Sequence, residues 1–136
     1  MAVARKILVG LAWLYVLLVA VQFFIAGLML LGTESADTLA DYRDIHEGLG
    51  YAVLHLSPIL MLIVAAIGRV GRNLLILIFV FAVIVFVQPI WVAEFSGEFL
   101  GSLHVIGALV IAALAHEIAQ RATRLLRAEP AGAVAA

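Results

Sequence analysis

The sequence predicts an all-α integral membrane protein, an up-down four-helix bundle with both termini in the cytoplasm, and three observations predict it. The first is composition. Of 136 residues, 66% are hydrophobic and only 12% charged, and the mean hydropathy is +1.22. Soluble domains sit nearer half apolar and a quarter charged. A chain this small has too much surface for its volume to hide the excess in a soluble core. The second is segmentation. A spanning helix needs about 20 apolar residues, and such runs fall at 7–31, 45–67, 73–92 and 99–120. The third is charge. Arg5, Lys6, Arg69, Arg72, Arg121, Arg124 and Arg127 all fall on one side of that segmentation, and only Arg43 falls on the other. The positive-inside rule puts the arginine-rich side in the cytoplasm.

Each element follows in order. The first run comes after Arg5-Lys6 and resembles a signal peptide, but its length exceeds the roughly 7–15 residues of a signal h-region, so it reads as a retained anchor. A polar stretch, 32–44, reads as the longest loop. The second run opens at His46 and carries Ser57-Pro58, where proline frees the Leu54 carbonyl and predicts a kink. A tight turn, Gly68-Arg69-Val70-Gly71-Arg72, leads to the third run, and a short acidic turn at 94–98 leads to the fourth. Short connections favour antiparallel neighbours. Residues 1–127 therefore form one bundle, and the Ala-rich tail 128–136 reads as disordered.

Composition also excludes. A net charge of −1, with no basic stripe, argues against nucleic acid as a partner. With no cysteine there is no disulfide, iron–sulfur cluster, thiolate zinc site or covalent haem attachment. A Gly-rich phosphate loop, a Ser-His-Asp set and a helical His-Glu-x-x-His motif are likewise missing from the sequence. Whether the chain is an enzyme stays open.

Four histidines remain. Ionisable groups in a membrane span are costly and mark function. His46, in Asp44-Ile45-His46-Glu47-Gly48-Leu49-Gly50, opens the second span, and His104, in Gly101-Ser102-Leu103-His104-Val105-Ile106-Gly107, opens the fourth. Two imidazoles on different helices near one membrane face suit the axial positions of a b-type haem. Gly50 at i+4 from His46 and Gly107 at i+3 from His104 share their histidines' faces, leaving room for a flat macrocycle. Arg43, at i−3 from His46, suits a propionate. At ~1.5 Å per residue His46 lies about 34 Å from Arg69 and His104 about 25 Å from Arg121, a gap of about 9 Å that makes His55, at about 21 Å, the alternative partner. His46 and His55 are half a turn out of phase, and His104 and His116 about a third, so one haem is the most the spacing admits.

The two hairpins echo each other. Val21-Gln22-Phe23 lies toward the outer end of the first span as Val87-Gln88-Pro89 lies toward that of the third, and each precedes a histidine that glycine follows. A parallel repeat would gather Gln22, Gln88, His46 and His104 around one centre near the outer leaflet. Gln22 and Gln88 are candidates for contact with a quinone or propionate; the competing reading makes them, with the histidines, hydrogen-bonded ties between helices. Trp13 reads as packing deep in its span, and Trp91 as an interfacial aromatic.

These residues carry two resemblances. A Gln in the first span, His-x-x-x-Gly opening the second, Gln in the third and Leu-His-x-x-Gly-Ala in the fourth resemble one four-helix half of haem A synthase, whose halves each hold a histidine pair for a b-type haem. In that enzyme the opening histidine is typically followed by arginine, where this chain has Glu47, and only one half is present. The resemblance implies a haem-binding bundle, alone or as a homodimer, and does not extend to the oxygenation of haem. Over nearly its full length the chain also resembles a family of small uncharacterised four-span bacterial membrane proteins, through Val21-Gln22-Phe23-Phe24-Ile25-Ala26-Gly27, His46-Glu47-Gly48-Leu49-Gly50 and Leu103-His104. The expectation is a bacterial cytoplasmic-membrane protein that carries electrons through one haem, with lipid around it and a quinone or larger membrane complex as partner. Its rival is a cofactor-free accessory subunit of a respiratory-type complex.

Overall fold

A computed structural model describes residues 1–95, 97 and 99–128. The order of elements is α1 (Ala2–Leu31), α2 (Ala36–Gly48), a π-helical turn (Leu49–Leu54), α3 (Leu56–Gly68), α4 (Arg72–Phe95), a 3-10 turn (Phe99–Ser102) and α5 (Leu103–Arg127). Four helical stretches are long and apolar enough to cross a membrane: Ala2–Leu31, Ala36–Gly68, Arg72–Phe95 and Phe99–Arg127. Glu98 of the acidic turn and all of the tail beyond Ala128 lie outside the described residues.

The stretch expected as a loop at 32–44 is mostly helix. Ser35 caps α2, its hydroxyl accepting from the Thr38 N–H at 3.3 Å, and Asp37 sits in the first turn. Both are helix-start signals, since a side-chain oxygen satisfies an orphan donor and a carboxylate suits the positive helix end. Polarity removed this segment from the membrane span without removing it from the helix.

Pro58 acts one turn upstream of itself. Proline cannot donate to the carbonyl at i−4 and clashes with it, and the backbone just before it widens to the π turn, with His55 N–H reaching the Gly50 carbonyl at 3.2 Å. The His55 Nδ1 lies 2.7 Å from the same carbonyl, and the Ser57 hydroxyl donates to Val53 O at 2.7 Å. A π turn closes i→i+5 rather than i→i+4, so the second span climbs less per residue than an α-helix would. That absorbs part of the depth gap between His46 and His104.

α1 packs on α3 and α5, and α4 packs on the same two. The four spans thus close a square, with the second and fourth on one diagonal. The core is a ladder of i, i+3 and i+4 residues: Leu8, Ala12, Tyr15 and Val19 of α1 meet Met61, Ile78, Phe81, Ala115, Ile118 and Ala119. The Tyr15 and Phe81 rings meet edge to face with centroids 5.0 Å apart. Among the described residues no polar or charged residue is fully buried, while Phe24, Leu30, Phe79 and Ile90 point outward.

The two ends of the bundle differ. At one, the Arg5 guanidinium donates to the carbonyls of Gly68 and Arg69 at 2.8 and 3.2 Å, closing the turn in which Arg69 adopts a left-handed conformation (φ 48°). Near the same end Trp13 is 42% exposed and donates its indole N–H to the Thr123 hydroxyl at 3.1 Å. It also meets His116 edge-on. Trp13 thus packs against the polar last turns of α5, which run back past α1. Glu117 pairs with Arg121 in those turns at 2.6 Å. The histidines His46 and His104 occupy the other end.

Candidate functional site

His46 lies near the end of α2 and His104 in the first turn of α5, on the two spans that face across the diagonal. Their rings meet with centroids 6.4 Å apart and planes inclined by 70°. Both side chains are half-buried. The sequence named this pair, and the structure brings it together despite the unequal chain lengths that tie each histidine to the arginine end.

Each histidine is held from a neighbouring span by a glutamine. Gln22 of α1 donates its side-chain amide to the His46 carbonyl at 2.8 Å, and Gln88 of α4 donates to the His104 carbonyl at 2.9 Å. The echo in the sequence is thus one bond made twice. Polar side chains in an apolar helix need such partners, and interhelical bonds of this kind contribute about 0.5–2 kcal/mol each. The acceptor is main chain, so no sequence motif marks it.

The glycines serve these amides. A methyl group at Gly107 would overlap the Gln88 side-chain oxygen and lie 3.1 Å from its carbonyl carbon, and one at Gly50 would lie 3.3 Å from the Gln22 amide nitrogen. The space expected to admit a macrocycle is taken by the two glutamines. Gln88, Gly107, Leu103 and Trp91 also line a shallow apolar cleft between α4 and α5. Trp91 closes the nearby turn by donating to the Leu100 carbonyl at 2.9 Å.

His55 is placed apart from this arrangement. Its ring stacks on Tyr51 and meets Phe86 edge-on, with centroids 5.5 and 5.4 Å away, and its Nδ1 is engaged by the Gly50 carbonyl. The histidine facing His104 is His46. Arg43 is exposed on α2, one turn before His46, and makes no hydrogen bond or ion pair among the described residues.

Four buried side-chain polar atoms have no hydrogen-bond partner among the described residues: Gln22 Oε1, His46 Nδ1, His55 Nε2 and His104 Nδ1. An unsatisfied buried group costs about 1–3 kcal/mol, and native structures tolerate few of them without a reason. All four lie in the half of the bundle that holds the histidine pair, and two belong to the pair itself. Among the described residues no group of three or more His, Asp or Glu gathers to hold a bare metal ion. What the pair offers is two imidazoles facing each other from diagonal spans, each with an unpartnered Nδ1.

Fold and site together define an all-helical bundle with four candidate membrane spans and a clamped histidine pair at one end. The chain belongs to a family of unknown function (DUF6220), whose match covers residues 22–94, from Gln22 through His46 and Gln88 to Glu94 in the last turn of α4. His104 and Gly107 lie beyond the matched segment. No curated protein and no solved structure matches the chain.

Proposed function

We propose that this protein is a b-type haem-binding protein of a bacterial cytoplasmic membrane, with both termini in the cytoplasm, in which His46 and His104 ligate one haem near the outer face and pass electrons through it. The observation that carries the reading is the spacing of the two rings. The ring centroids of His46 and His104 lie 6.4 Å apart on diagonal spans, so the two imidazoles would be the residues to hold one metal centre between them. The unpartnered Nδ1 atoms add support, since each ring has a nitrogen that no protein group satisfies.

Bound there, haem would supply reversible one-electron transfer, with both axial positions filled by protein and its potential set by ligand and burial. His46 and His104 would hold the metal between diagonal spans, so binding would also tie the two hairpins together. Arg43, free of any competing carboxylate among the described residues, is the candidate to neutralise a propionate. The glutamines reach the histidine carbonyls, and their side chains fill the room beside Gly50 and Gly107, so haem would enter only with those side chains displaced. The partner of such a carrier is a membrane quinone or a larger membrane complex. The test is titration of the detergent-purified protein with haem. One equivalent bound as a six-coordinate low-spin species is the expected result, with loss of that species in His46→Ala and in His104→Ala. No saturable binding in the unsubstituted protein overturns the reading.

One observation favours a second reading, a cofactor-free accessory subunit. The glutamine ties account for Gly50 and Gly107 without any ligand. On that reading a larger complex co-purifies with the chain and its visible spectrum is featureless.

A further inference from the structure

We propose that Gln22 and Gln88 are positioning residues of the histidine pair, each fixing one histidine from the adjacent span through its main-chain carbonyl. This rests on the reading of the pair as a ligand site. The argument begins with repetition. Two different helices, α1 and α4, each place a glutamine on the carbonyl of the histidine that follows in the next span, at 2.8 and 2.9 Å. In both cases a glycine lies within one turn after the histidine, where any side chain would meet the glutamine. A polar residue serving only general cohesion need not choose the same acceptor twice.

The choice of acceptor matters physically. A bond to an imidazole nitrogen would consume the group that has to bind a ligand. A bond to the carbonyl leaves the Nδ1 of each ring unpartnered and fixes the backbone that carries the ring, both in depth and in rotation about the helix axis. Each clamp also acts where the helix is least able to hold itself. His46 precedes by three residues the π turn at Leu49–Leu54, and π segments are irregular points in a helix. His104 is the second residue of α5, just after the 3-10 turn Phe99–Ser102, where terminal turns fray. Two carbonyls pinned at these points keep the 6.4 Å ring spacing independent of the slack in either helix.

The sequence contains no cysteine, so His46→Cys and His104→Cys can be introduced together as a reporter pair that leaves both carbonyls in place. In detergent, the rate of intramolecular cross-linking by a short bis-maleimide reads the separation directly and needs no haem. Gln22→Met and Gln88→Met keep the length of the side chain and remove the donor. The expected result is a several-fold slower cross-link in the doubly substituted background, with helicity and elution profile unchanged. An unchanged rate overturns the proposal. Should the methionine variants fail to fold, Gln88→Asn, one methylene shorter, is expected to slow the reaction in the same direction, and an unchanged rate there overturns it equally. In the haem-loaded, histidine-bearing protein the methionine variants should shift the midpoint potential and the ferric low-spin signal. Haem binding in the unsubstituted protein with an unaltered cross-link rate defeats the clamp alone; a clamp-dependent rate with no haem binding defeats the ligand reading alone.

Discussion

At position 107 a methyl group falls onto Gln88, whereas at position 48 nothing lies within 4 Å. Two glycines of one sequence thus have opposite roles. Gly107→Ala is expected to cost about 1–3 kcal/mol through overpacking. Gly48→Ala, within α2, is expected to gain about 0.5–1 kcal/mol of helix stability. Thermal midpoints in one detergent separate the two, and equal shifts would contradict the clamp geometry. At the other end, Trp13→Phe and Thr123→Val remove the same hydrogen bond. Each should cost about 1 kcal/mol, or somewhat more for Thr123→Val, whose hydroxyl also donates to the Ala119 carbonyl, and the pair together less than the sum, because both changes remove the Trp13–Thr123 bond. The histidines were legible in the sequence because an imidazole in an apolar run stands out. What Gln22 and Gln88 hold was not, since a main-chain carbonyl has no letter.

The four long helices were legible from hydropathy, but their boundaries were not. Membrane hydropathy reports where a helix meets lipid, not where it starts. α2 begins at Ala36, behind its Ser35 cap, well before the apolar run that marks the span. Ser35→Ala should loosen that first turn by about 0.5–2 kcal/mol, seen as faster amide exchange at 36–39 with the rest of the helix unaffected. The π turn was legible only as a disturbance at Pro58. Its site depended on the Gly50 carbonyl receiving both the N–H and the ring of His55. His55→Phe keeps an aromatic ring between Tyr51 and Phe86 but removes the Nδ1 contact. Amide exchange across 49–55 should then quicken several-fold, for about 0.5–1.5 kcal/mol lost. Unchanged exchange would mean the π turn is held by the backbone alone.

Over the whole molecule, most of the arginines and the histidine pair occupy opposite ends. The carbonyls of the 68–72 turn are gathered by Arg5 and the polar last turns of α5 lie near Trp13, while the glutamine-clamped histidines lie at the far end of the same four helices. The proposed orientation, with the arginine end in the cytoplasm, rests on the positive-inside rule. In intact cells a membrane-impermeant maleimide should therefore label Thr33→Cys, in the turn beside the histidine end, and spare Ala128→Cys. The opposite pattern would invert the topology and place the histidine pair on the cytoplasmic side. The square of helices puts His46 and His104 on diagonal spans, so whatever they bind joins the two hairpins across the bundle. That joining is the central claim, and a reduced-minus-oxidised visible spectrum of the protein expressed with ample haem tests it most directly. A sharp reduced α-band of b type, absent from both His46→Ala and His104→Ala, is the predicted result. A band that survives either substitution, or no band in the unsubstituted protein, would contradict it.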